Sequence, residues 1–167
     1  MSALVPAGAA AVEDDPFPGY SAVCGYPVRF VPTPFVAQAV LDVRGREIIL
    51  LDPSLDTEEE RPRMQFLVAH ECAHHRMRHA LPHSRRARAL STAVVRDQEM
   101  SADCFAAELL ARLGLERPLH VMAQRFHRGG LYSPGGGYPA GIQRAAIIQQ
   151  CAEEGRRNRL RTADAAP

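Results

Sequence analysis

The chain has 167 residues, which suits a single domain with one sizeable core. Apolar residues make up 46% and charged residues 23%, and the net charge is +1, so no strong field points to nucleic acid or to a membrane surface. No apolar run approaches the ~20 residues needed to span a bilayer.

Residues 1–18, rich in Ala, Pro and acid, read as a flexible leader. Residues 7–11 resemble the end of a secretory signal, but no basic stretch precedes them and the apolar run is short. As written the chain stays in the cytoplasm; a signal upstream of the first residue would make it periplasmic or secreted. Residues 20–55 read as β. A strand over 28–31 is ended by Pro32 and Pro34, and strands over 36–43 and 47–51 flank a hairpin turn at Arg44-Gly45-Arg46. Asp52-Pro53 closes the sheet. The run Glu58-Glu59-Glu60 is an acidic lead-in to a helix.

That helix starts near Pro62 and runs to about His79, with Pro82 beyond it. Phe66, His70, Ala73, His74 and Met77 share one face. Residues 84–89, with Arg85, Arg86 and Arg88, form a solvated basic connector. A second helix begins at Ser91 or Thr92, runs through Leu113 and stops at Gly114. Glu99, Ala102, Asp103, Ala106 and Leu110 form its inward stripe. A third helix spans 118–128, a Gly-rich loop over 131–140 carries Tyr132 and Tyr138, and a last helix spans 141–154. Residues 156–167 read as a flexible tail, which leaves 19–155 as the folded domain. The cysteines Cys24, Cys72, Cys104 and Cys151 contain no CxxC pair, so they suggest neither a disulfide framework nor a Cys-rich zinc site. Cys72 and Cys104 read as small buried residues.

His70-Glu71-Cys72-Ala73-His74 is an HExxH motif. Residues four apart share a helix face, so both imidazoles can reach one Zn²⁺, and Glu71 lies one step round, where it can act as general base without being a ligand. Two His on the buried face of a helix are costly unless paired or ligated. A catalytic zinc also needs a third protein ligand. The second helix offers Glu99 for that place, with Asp103 one turn on to accept a ring N–H of a ligand His. Peptide hydrolysis also needs a donor for the developing oxyanion. Candidates are Tyr138, Tyr132, Arg144, His120 and His127. His75 points off the ligand face, and His79 lies near the helix end, where a cation suits the dipole.

HExxH followed by a helix bearing Glu99-Met100-Ser101-Ala102-Asp103 resembles the gluzincin clan of zinc peptidases. Glu47-Ile48-Ile49-Leu50-Leu51, Phe66-Leu67-Val68-Ala69-His70-Glu71 and Phe105-Ala106-Ala107-Glu108-Leu109-Leu110 look like the ImmA/IrrE type, soluble enzymes linked to cleavage of transcriptional repressors. Glu99 to Asp103, with Tyr138-Pro139-Ala140-Gly141 and Arg144, looks more like the HtpX-like branch, which usually has His where this chain has Tyr138. The resemblance covers roughly residues 45–151. It favours Tyr138 and Arg144 as oxyanion stabilisers, and it implies a substrate lying as an added strand along a sheet edge.

The expectation is an α+β chain of minimal zincin-like fold, a small N-terminal β-sheet packed on a helical bundle that carries the HExxH helix. It would be a zinc metalloendopeptidase holding one Zn²⁺ per chain on His70, His74 and Glu99, with a peptide or protein substrate. The alternative is a non-catalytic zinc-binding or regulatory partner module, against which intact Glu71 argues. No nucleic acid and no integral membrane segment are expected, because the Arg-rich stretches at 85–86 and 156–161 lack interleaved aromatics.

Overall fold

A computed structural model describes residues 10–11, 15–79 and 91–164. The expected connector at 84–89 lies outside the described residues. The fold is α+β and mostly helical. The chain divides into two compact units, Met1–Ala89 and Leu90–Pro167, where the sequence reads as one domain.

The first unit is a sheet with one long helix against it. Strands β1 (Ala10–Ala11), β2 (Val28–Phe30), β3 (Ala37–Leu41) and β4 (Glu47–Leu51) lie in the order β1-β2-β4-β3. β3 and β4 form the expected hairpin, with Leu41 opposite Glu47. Gly45, at φ +75°, makes the turn, and the Asp42 carboxylate accepts the backbone N–H groups of Arg44 and Arg46 at 2.8 and 2.9 Å. β2 joins β4 in parallel, with Val28 opposite Ile49. β4 is therefore central, and Ile48, Ile49, Leu50 and Leu51 are all buried, which explains a continuous apolar run rather than an alternating one.

Helix α1 (Tyr20–Val23) occupies residues that the sequence reads as the start of the β region. Local bonds decide it: Tyr20 N–H donates to the Phe17 carbonyl at 3.0 Å and Cys24 N–H to the Tyr20 carbonyl at 2.8 Å. Phe17, inside the expected leader, is buried edge-on against Tyr20, with ring centroids 5.2 Å apart. Helix α2 (Arg61–Arg76) packs on β3 and β4, and its Phe66, Val68, Ala69 and Ala73 are buried.

The second unit consists of α3 (Thr92–Arg112), α4 (Glu116–Gly129) and α5 (Gly141–Asp164). Ser91 caps α3, its hydroxyl accepting from Val94 N–H at 3.3 Å. The Gly114 stop is as expected: in the left-handed region at φ +78°, it donates to the Ala111 carbonyl, and Leu115 N–H reaches back to Leu110. α5 packs on α3 and α4 through small and aliphatic residues, among them Ala145, Ile148 and Ala152. It continues ten residues past the expected end at 154, through ion pairs one turn apart, Glu153 with Arg156 and Glu154 with Arg157.

The cysteine spacing alone points to no disulfide framework, and Cys72 and Cys104, expected as small buried residues, are both disulfide-bonded. Cys24 bonds to Cys72 and Cys104 to Cys151, with Cα separations of 5.8 and 5.2 Å. Each bond lies within one unit, tying α1 to α2 and α3 to α5. Partners 48 and 47 residues apart leave no local spacing signature. A loop of that length lowers the entropy of the unfolded chain by the equivalent of about 4 kcal/mol.

Gly155 sets how closely α5 approaches α3. A Cβ there would lie 2.4 Å from the Glu108 carbonyl oxygen and 2.9 Å from the Ala111 Cβ. Gly155→Ala gains about 1 kcal/mol of helix propensity but must push the helices apart, at about 1–3 kcal/mol. Net destabilisation is expected, read as a lower midpoint in urea unfolding; an equal or higher midpoint would contradict the close contact.

Candidate metal centre

Within the first unit, α2 presents His70 and His74 one turn apart. Their Nε2 atoms face each other at 3.1 Å, with ring centroids 4.8 Å apart. Two ligands ~2.0–2.1 Å from one tetrahedral zinc lie about 3.3 Å apart, so the separation of the two nitrogens is close to that of ligands sharing one metal. Glu71 is buried, and its Oε2 accepts the backbone N–H of Ala39 at 2.7 Å. Ala39 lies on β3, an edge strand of the sheet. That backbone donor is part of the site, and nothing in the sequence around Ala39 announces it.

His75, read as pointing off the ligand face, does so with a specific job. It is buried, its Nε2 lies 2.8 Å from the Ile48 carbonyl on β4, and its ring packs on Tyr26 at 4.7 Å between centroids. Glu71 and His75, four apart, thus bind the backbones of β3 and β4. They fix the rotation of α2 about its own axis, and with it the direction of the adjacent His70–His74 face.

Within the second unit, Glu99 and Asp103 are buried on α3. Arg144 from α5 forms a bidentate pair with Asp103, Nε to Oδ2 at 2.6 Å and Nη2 to Oδ1 at 2.7 Å, and its Nη2 lies 3.7 Å from a Glu99 oxygen. The guanidinium sits 4.1 Å over the Phe126 ring. Burial works against its charge, but the hydrogen bonds and charge of Asp103, with Glu99 and Tyr138 adding to them, outweigh that and hold Arg144 above its ordinary pKa. Arg144, expected as an oxyanion donor, is thus engaged with the two carboxylates of α3. Tyr138 is 38% exposed in the Gly-rich loop, where its carbonyl accepts the Ser133 hydroxyl at 2.6 Å.

His70, His74 and Glu99 are the candidate ligands for a metal ion. Two imidazoles and a carboxylate are a donor set that suits zinc and leaves one tetrahedral position for another ligand. No helix among the described residues is long and apolar enough to cross a membrane. Protein-family models, curated proteins and solved structures give no match to this chain.

The Arg144–Asp103 pair has a stability consequence. The Asp103 side chain is 0% exposed, and removing the partner of a buried charge costs about 3–5 kcal/mol. Arg144→Ala is expected to lose stability of that order in urea unfolding, and adding Asp103→Asn should recover part of it by removing the stranded charge. Equal midpoints for Arg144→Ala and wild type would show that Asp103 does not depend on this guanidinium.

Proposed function

We propose that the chain is a zinc-dependent metalloendopeptidase of the gluzincin type, with His70, His74 and Glu99 as the metal ligands. The observation that carries the reading is the His70–His74 pair on α2, its Nε2 atoms 3.1 Å apart, with a buried carboxylate, Glu71, between the two histidines in sequence. When bound, zinc supplies Lewis-acid charge that polarises a carbonyl and makes water a nucleophile near neutral pH. Glu71 is the proton acceptor and later the donor to the leaving amine, its carboxylate oriented by the Ala39 N–H. Because Ala39 is on edge strand β3, a peptide added along that edge would run past the base, which favours β-augmentation as the mode of substrate binding. Asp103 and Arg144 hold Glu99 in place through their ion pairs, and Tyr138 is the remaining candidate donor for the oxyanion. The two disulfides suit an oxidising compartment, so metal content and activity belong in buffers without thiol reductant.

The test takes metal and turnover separately. Wild type is expected to hold one zinc per chain by elemental analysis, and Glu99→Ala to lose most of it. Glu71→Gln is expected to keep zinc and fold, because the amide is nearly isosteric, but it cannot take a proton. Cleavage across a broad peptide library should then fall by at least ~10²-fold. Equal cleavage by wild type and the zinc-loaded Gln variant would remove Glu71 as base. Zinc binding with no cleavage by either would favour the non-catalytic binding module.

A further inference from the structure

The end of α2 is built unusually. The helix closes with a paired backbone cap: Arg78 N–H donates to the His75 carbonyl at 2.9 Å, and His79 N–H reaches back five residues to the His74 carbonyl at 2.7 Å. This cap requires a left-handed residue, usually Gly. Here that residue is Arg78, at φ +59°, the one non-glycine with positive φ among the described residues. A non-glycine in this region is strained, because its Cβ crowds the following carbonyl oxygen. The consequence is that the chain turns back and sets the His79 ring beside His74. The Nδ1 atoms of the two rings are 3.1 Å apart, with centroids at 5.2 Å. His79 therefore touches His74 twice, through its backbone N–H and through its ring.

We infer that His79 is the positioning residue for His74, accepting the His74 Nδ1–H so that the Nε2 lone pair is presented to a metal. The inference rests on the proposed metal site. A ligand imidazole bound through Nε2 must carry its proton on Nδ1, and that proton needs an acceptor fixed in the plane of the ring. The geometry supplies one at Nδ1 of His79. The same geometry separates His79 from the ligands: it faces the nitrogen of His74 opposite to the one that meets His70. The backbone cap makes the acceptor rigid, since the turn that places it is held by the helix it serves.

The test compares His79→Phe with His79→Asn. Phe keeps a ring of similar size but no acceptor; Asn places an oxygen close to where Nδ1 stands. Zinc affinity, by competition with a chelating dye, should fall about 10–100-fold in the Phe variant and largely recover in the Asn variant. Nitrogen NMR of zinc-loaded wild type should show the His74 Nδ1–H slow to exchange and coupled across a hydrogen bond to His79 Nδ1, a readout that needs no variant to fold. Wild-type affinity in the Phe variant, an Asn variant as weak as Phe, or a freely exchanging His74 Nδ1–H would each overturn the inference while the metal site stands. Complete loss of zinc in both variants would make His79 a ligand and overturn the positioning role. No zinc uptake by wild type would overturn this inference together with the metal-site reading.

Discussion

Two imidazole nitrogens, His70 Nε2 and His74 Nε2, point at each other across 3.1 Å on a helix whose sheet-facing side is buried, and the rest of the first unit can be read as the means of keeping them there. A free helix could turn about its axis and swing the pair away. α2 cannot, because Glu71 is bonded to the backbone of β3 and His75 to that of β4. Cys72, between them, is bonded to Cys24, and Arg76 donates from its guanidinium to the Val23 carbonyl at 2.7 Å. Four residues within six therefore anchor one helix to three other elements. Side-chain to backbone bonds suit this work, since the strand backbone is itself fixed by its ladder.

The second unit meets a different demand. Two carboxylates one turn apart on a buried helix face are costly unless neutralised. Arg144 offsets both, with its fork on Asp103 and one nitrogen near Glu99. A guanidinium can serve only if α5 is held in register with α3. Three features of that contact do so: the Cys104–Cys151 bond, the bare backbone at Gly155 against Glu108, and the small side chains Ala106 and Ala152. A Lys at 144 would carry the charge but not the fork, and would leave one Asp103 oxygen or Glu99 without its donor.

Much of this was legible in the sequence where periodicity or turn chemistry governs. The β3–β4 hairpin follows from Gly45 between two β-rich runs, and the end of α3 follows from Gly114. The end of α2 has the same backbone geometry but puts Arg78 where glycine is usual, so no punctuation marks it, and with it His79 was read only as a helix-end cation. α5 runs past the expected end at 154: Gly155 lies within it as a packing position against Glu108 and Ala111, and the helix beyond is sustained by Glu153–Arg156, Glu154–Arg157 and the longer-range Glu116–Arg156 pair. The disulfides were invisible because pairing is a property of the fold: Cys72 lies on the expected helix, but its partner Cys24 caps a one-turn helix that the β-rich reading of residues 20–55 had no reason to contain.

With no matching family to lend it weight, the metal reading stands on independent coincidences. HExxH arises by accident in roughly one chain in a hundred of this size and His content. An accidental match has no reason to fall on a helix, nor to bury the intervening glutamate, nor to bring two ring nitrogens together. Nor would it place a buried Glu and Asp at helical spacing on another helix, with an arginine holding them. Glu71 and His75 bind strand backbone and so hold α2 to the sheet. His70 and His74, on the neighbouring face of the same helix, bring together the two nitrogens through which a shared metal would bind.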